Sequence, residues 1–350
     1  MHDGSRLCGR LSYRCYRDHP SILRMDWLNS YGVVDFGYTE DPVPTTLEYY
    51  NQWVAANLHA PLHYLEGERQ EKRQDLKNHW QDFQSAVVFL FSYHPTHSEL
   101  QNLYQKNPNW NGLKLASYTL GFEGWDYHNL LREKLESIGE CLKKDHGVEF
   151  RLTLDTHPVL ERDLAKRAGL GWFGKNSMLI NRHQGSFFII GSLLLDKKLD
   201  LKTKAYETDH CGQCTRCIDA CPTEAIDPVS RTIIAKDCIS TFTIEQFKLD
   251  TIPSEKMTLK EGTLFGCDIC QDVCPWNKRV DRQNSVSLSG WSDQQKKILD
   301  FFLLRPVEKV HQNLEEMSGK EFERVMEKTS FARSGRRGLL KNIRFYLKKD

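Results

Sequence analysis

The feature that most constrains this chain is a set of eight cysteines between Cys211 and Cys274, out of eleven in its 350 residues. They open as Cys211-Gly-Gln-Cys214-Thr-Arg-Cys217-Ile-Asp-Ala-Cys221-Pro222, pass through an isolated Cys238, and close as Cys267-Asp-Ile-Cys270-Gln-Asp-Val-Cys274-Pro275. The opening run has the spacing that holds 4Fe-4S cubes in two-cluster ferredoxins, three thiolates serving one cluster and the fourth reaching the other. In that crossed pattern Cys211, Cys214 and Cys217 share one cluster with Cys274. Cys267 and Cys270 share the second with Cys221, and Cys238 fills its vacant fourth position. Disulfide frameworks belong instead to small secreted chains. Zinc knuckles close one tetrahedral site with paired C-x2-C units, not with a third cysteine and a Cys-Pro.

The chain is too long for a bare ferredoxin, and two or three compact units are expected. A net charge of +1 announces no global field for nucleic acid, so any such surface must be local. No stretch approaches the length of a membrane span, and residues 1–24 lack the apolar core of a signal peptide. A soluble, cytoplasmic protein is expected. Residues 1–24 read as a disordered extension, 25–204 as a catalytic α/β domain, 205–280 as a ferredoxin-like module, and 281–350 as a helical region with a basic tail.

Within the first domain, residues 26–73 suggest helices, 85–93 a buried strand, and 96–125 a long loop lining a site. A helix over 126–146, stopped by Gly147, leads to a half-buried strand at 148–154. Pro158 suits the first turn of the next helix, and an apolar strand follows at 187–195. This alternation predicts an α/β layer domain. Beyond the cysteines, 293–304 and 307–326 read as helices.

Cluster thiolates move electrons, so the α/β domain must supply the organic chemistry. Asp155, at the carboxyl end of a strand, stands where open α/β sheets place ligands; equally, Asp155 or Thr156 could cap the following helix. The glycine-dense turn Gly169-Leu-Gly-Trp-Phe-Gly-Lys175-Asn176-Ser177 could bring backbone close to a cofactor or simply join a helix to a strand.

Three motifs carry a resemblance: Leu154-Asp-Thr-His-Pro-Val-Leu-Glu-Arg162, Arg167-Ala-Gly-Leu-Gly-Trp-Phe-Gly-Lys-Asn176, and Phe265-Gly-Cys-Asp-Ile-Cys-Gln-Asp-Val-Cys-Pro-Trp-Asn277. With the Cys211 run they closely resemble the epoxyqueuosine reductase family, over about Met25 to the C-terminus. The resemblance implies a cobalamin-dependent enzyme with two 4Fe-4S clusters that reduces epoxyqueuosine to queuosine at the wobble position of tRNA with a GUN anticodon. It implies Asp155 as proton donor, in a dry pocket that raises its pKa. It also implies Arg73, Tyr118, Lys175, Asn176, Met178, Ser240, Cys267 and Asp268 as residues near cobalamin or tRNA. A low-potential donor of flavodoxin or ferredoxin type, no membrane and a monomeric state are expected. Where the family has Gly-x-Asp-Tyr-His, this chain has the longer Gly121-Phe-Glu-Gly-Trp-Asp-Tyr-His128. No counterpart of the helical-repeat domain of longer members is expected from the resemblance, and with it a smaller RNA surface is expected.

From Lys328 onward the chain gathers eight Lys or Arg against one acid, interleaved with Phe331, Phe345 and Tyr346. Such a run suits an RNA backbone, with Arg336 and Arg337 as substrate contacts, or is a solvated basic helix end. Two rival functions remain at this level: an electron-transfer subunit without its own organic substrate, and a reductive dehalogenase-like enzyme.

Overall fold

Residues 85–92 explain the core of the fold. Ala86, Val88 and Leu90 face one way and Val87, Phe89 and Phe91 the other, all fully buried. A strand covered on both faces has no polar side to show, hence its continuous apolar run. In the computed structural model, which describes residues 24–258, 261–283 and 290–348, it is β2 (Ser85–Ser92) of a four-stranded sheet. The others are β1 (Val33–Thr39), β3 (Phe150–Thr153) and β4 (Phe188–Leu195), in spatial order β1-β2-β4-β3 with every pairing antiparallel.

Helix α1 (Tyr127–His146) covers one face, setting Leu131, Leu135, Ile138 and Leu142 against Val87, Phe89, Phe91 and Leu193. Asp126 caps it by accepting from the His128 N–H, and Gly147, at φ 63°, ends it in the left-handed conformation that glycine tolerates. Helix α2 (Glu161–Arg167) covers the other face with Leu164 and Ala165. The mixed α/β class is therefore as expected, but the all-antiparallel sheet means that the parallel-sheet rule for ligand sites does not explain Asp155.

Four segments depart from expectation. β1 lies inside the stretch read as helical, because a strand's partner is remote and its pairing with β2 outweighs local pattern. His94–Lys106 is a helix rather than part of a loop; Pro95 sits in its first turn, and its buried side is built from His94, Thr96, His97 and Leu100, which hides the apolar period. Pro158 precedes α2 by a short loop instead of opening it. The single helix read over 307–326 is broken in two.

The C-terminal region comprises α3 (Asp293–Phe302), α4 (Val307–Glu316), α5 (Gly319–Met326) and α6 (Phe331–Leu347). Ser318 separates α4 from α5 by accepting from the Glu321 N–H at 3.1 Å. The basic stretch is thus a packed helix, kinked where Gly335 adopts φ 63°. Its Phe331, Leu339, Leu340 and Ile343 share one core with Leu100, Leu115, Leu264, Phe265 and Phe302. Lys114–Leu115 pairs in parallel with Thr263–Phe265, joining the segment before α1 to the cysteine module inside that core. No helix among the described residues is long and apolar enough to cross a membrane. The expected disordered extension falls almost wholly outside the described residues.

Candidate redox and proton-transfer site

None of the eight cysteines is engaged in a disulfide. Burial and the neighbouring Cys274, Cys211 and Cys214 push the Cys217 thiol up to about 11. Burial, Cys267, Cys238 and Cys221 push Cys270 well above the ordinary thiol range. Cys217 and Cys270 thus each lie close to three further cysteines of the set. Among the described residues only His59, His63 and Glu66 bring three ligand atoms within 4.8 Å of one another. A cavity of about 280 Å³ is bounded by Cys211, Cys214, Cys217 and Cys274 together with Trp276 and Asn176.

Asn277 fastens this module to the sheet. Its Oδ1 accepts from the Ser186 N–H at 2.7 Å, and its Nδ2 donates to the Gln271 carbonyl at 2.8 Å, just before β4 begins. The glycine-dense turn forms a small hairpin, Trp172–Phe173 against Leu179–Ile180. Within it Lys175 donates to the Gly212 carbonyl at 2.8 Å, and Asn176 to the Cys270 carbonyl at 3.3 Å. Adjacent residues thus touch the two foursomes. Asn176 Oδ1 also accepts from the Met178 N–H at 3.3 Å, shaping the turn.

Asp155 follows β3 directly and caps nothing: α2 begins six residues later, and its N-cap, Leu160, makes no side-chain cap. Its Oδ2 accepts from the Tyr127 hydroxyl at 2.5 Å, and its Oδ1 lies 2.7 Å from His128 Nε2. Its side chain keeps 34% of its surface open, so it lines a hollow rather than a packed core. Burial pushes its pKa upward, but the contacts from His128 and Tyr127 outweigh that, and the group sits below the ordinary carboxylate range. In the protein alone, the contacts from Tyr127 and His128 stabilise the carboxylate more than partial desolvation disfavours it.

A continuous path joins this acid to the second foursome. Asp268, beside Cys267, accepts from the Ser117 N–H and hydroxyl, both at 2.7 Å. The next residue, Tyr118, meets the Tyr127 ring edge-on at 5.9 Å, and Tyr127 holds Asp155. Ser240, two residues past Cys238, precedes a π-helical turn over Thr241–Glu245, a distortion common at functional sites. Arg73 is buried beside the Tyr50 ring, 6.0 Å from its centroid. Arg336 donates instead to the Leu314 carbonyl at 2.9 Å, at the end of α4, while Arg337 is exposed.

The family model described as Epoxyqueuosine reductase QueG matches residues 73–156, a span that reaches just past Asp155. The 4Fe-4S double cluster binding domain matches residues 210–277 and takes in all eight cysteines. The epoxyqueuosine reductase of Cyclobacterium marinum is 34% identical over 90% of this chain and 91% of its own length. The chain belongs to the epoxyqueuosine reductase family. A second relative, the epoxyqueuosine reductase of Leadbetterella byssophila, is 36% identical over 90% of this chain and 92% of its own. Among solved structures, epoxyqueuosine reductase from Streptococcus thermophilus shares the fold, with a TM-score of 0.73 at 23% identity, covering 92% of this chain and 79% of that one. An epoxyqueuosine reductase crystallised with an epoxyqueuosine-modified tRNA-Tyr stem loop gives 0.69 at 24% identity, covering 92% of this chain and 79% of that one.

Two residues that the sequence placed only within longer runs lie close to the acid in this reductase. Arg333, in the basic run, pairs with Glu245 at 3.0 Å, and its charge reaches Asp155. Glu161, at the start of α2, is held well above the carboxylate range by burial and by Asp155, and its Oε1 is buried without a hydrogen-bond partner. The Nε of Arg69 is likewise unpartnered, although its Nη2 donates to the Thr156 carbonyl at 2.7 Å. Orphaned polar atoms around Asp155 fit a polar cofactor bordering this hollow.

Proposed function

We propose that this reductase converts epoxyqueuosine in tRNA to queuosine, with electrons supplied through two 4Fe-4S clusters and cobalamin. The observation that carries this reading is the convergence of Asp155 and the second cysteine foursome through Asp268, Ser117, Tyr118 and Tyr127. Cys211, Cys214, Cys217 and Cys274 would hold one cluster, and Cys221, Cys238, Cys267 and Cys270 the other. Arg73, Tyr118, Asn176, Met178, Ser240, Cys267 and Asp268 would border cobalamin, which when bound supplies a low-potential metal able to deliver electrons to a strained carbon–oxygen bond. Lys175, tied to the Gly212 loop, would support the first cluster's surroundings.

The chain's own residues hold the substrate oxygen and its proton. Tyr127 and His128 orient the Asp155 carboxyl toward the hollow, and protonated Asp155 donates to the oxygen as it leaves. Tyr64, exposed and close enough to feel Arg333 and Asp155, borders the same opening. Arg333 and Arg337 would meet phosphate there, with Arg336 positioned through α4. The partners would be GUN-anticodon tRNA and a flavodoxin- or ferredoxin-type donor, meeting a cytoplasmic monomer.

The test is anaerobic reconstitution with cobalamin, chemical reduction, incubation with epoxyqueuosine tRNA, and mass analysis of the anticodon nucleoside. A product lighter by one oxygen is expected. Cluster reduction and cobalamin binding without nucleoside conversion would favour an electron relay instead.

A further inference from the structure

Asp155 is ionised at rest, yet the reaction proposed above consumes protons at its position. Removing an epoxide oxygen as water and leaving a double bond breaks two C–O bonds and takes two electrons and two protons. The electrons come from the low-potential donor through the clusters. The protons need a local source.

The charged cluster behind Asp155 contains one. His128 Nδ1 is hydrogen-bonded to Asp126 Oδ1 at 2.6 Å, while its Nε2 makes an ion-pair contact of 2.7 Å with Asp155 Oδ1 that is outside hydrogen-bond alignment, so that transfer along it requires a small turn of the Asp155 carboxyl. A ring with a carboxylate oxygen this close to each nitrogen is favoured as imidazolium, with a proton on each. The ring is held in place, stacked on Tyr127 with centroids 4.1 Å apart and planes 23° from parallel. Asp126 is equally fixed: its Oδ1 accepts from the His128 N–H at 2.9 Å, and its own N–H donates to the Lys328 carbonyl at 2.6 Å.

We propose that Asp126, His128 and Asp155 form a proton relay in which the His128 imidazolium reloads Asp155 each time Asp155 gives its proton to the departing oxygen. In each cycle the Nε2–H bond breaks and an Asp155 O–H bond forms; that bond then breaks as the substrate oxygen is protonated. Neutral His128, whose side chain is 20% exposed, regains its proton from water, and two cycles complete one turnover. Burial would lower the imidazole's affinity for a proton, but Asp126 and Asp155 overcome it and raise the pKa to about 9. Other groups also face the pair. Glu161 is held well above the carboxylate range by burial and by Asp155, Arg333 is paired with Glu245, and Tyr127 donates to Asp155. The relay rests on the reductase reading, and its test separates the two.

Cluster-loaded parent, His128→Gln and Asp126→Asn proteins are compared, first by histidine NMR titration and then by single-turnover reduction of epoxyqueuosine tRNA against pH. His128 in the parent should titrate near pH 9, with a lower midpoint in Asp126→Asn. The parent rate should fall as pH rises through that midpoint, because the donor form is lost. His128→Gln should be about 100-fold slower or more and lack that fall, with its iron content unchanged. A His128 titration at an ordinary value, a variant at the parent rate, or a slow variant that keeps the parent's alkaline fall overturns the relay. An inactive parent overturns the functional reading itself.

Discussion

At the scale of single residues, the site is governed by what surrounds each charge. Asp155 looks from the sequence like an acid awaiting a dry pocket, but Tyr127 and His128 make it a stabilised carboxylate. Replacing it by Asn fills the same space without an ionisable proton. Asp155→Asn should retain its clusters, read by iron content and visible absorption, while single-turnover conversion falls by about 100-fold or more. Normal rates in that variant would remove Asp155 from the chemistry. A second buried charge is structural. Asp163 pairs with Arg167 at 2.6 Å, accepts from the Thr45 and Thr46 hydroxyls and the Thr46 N–H, and is wholly buried. Asp163→Ala would strand Arg167 without its counter-charge, a loss of about 3–5 kcal/mol in unfolding free energy by chemical denaturation.

At the scale of elements, α6 shows how packing reassigns a charge run. Read linearly, it is a basic tail with rings free to stack on bases. Folded, Phe331 lies in the largest core, Phe345 packs on Phe242 at 5.3 Å, and Arg344 pairs with Glu315 at 2.6 Å. Lys341 turns inward, donating to the carbonyls of Phe242 and Gln246 with its ammonium 3.7 Å from the Phe242 ring centroid. Burial drops its pKa to about 7. Between that value and the ordinary lysine range, the unfolded chain binds a proton that the folded chain does not, so stability rises with pH across this window and is lost as pH falls toward 7. Denaturation midpoints from pH 7 to 10 should climb in the parent and flatten in Lys341→Met. An unchanged slope would mean that Lys341 stays charged in place.

At the scale of the whole molecule, three sequence regions are tied together around the cysteine module. Asn277 ties the cysteine module to β4, Lys114–Leu115 pairs with Thr263–Phe265, and α6 buries Asn342 against the carbonyls of Thr243 and Leu264. The module is clamped on both sides of the second foursome, so losing that cluster should not dismantle the first. Cys238→Ser should therefore lose about half its iron and keep the first cluster's spectrum. Full iron content would break the assignment of Cys238, and complete loss would show that the two clusters fold as one.

What the sequence determined by itself was whatever depends on local spacing. The double-cluster cysteine module, the helix over 126–146 stopped by Gly147, and the buried strand at 85–92 were all legible, because ligand spacing and burial period are written along the chain. The motif around Asp155 was legible too, through its resemblance to a family. Only the tertiary structure decided the antiparallel order of the sheet and the strand at 33–39, since strand pairing is set by remote partners. It alone revealed the hidden face of His94–Lys106, whose buried side carries histidines rather than an apolar stripe. It alone decided the protonation of Asp155, the inward turn of Lys341 and the placing of Arg333 beside the acid. Charge states and contacts of this kind depend on which distant groups come within a few ångströms, and no spacing along the chain records that.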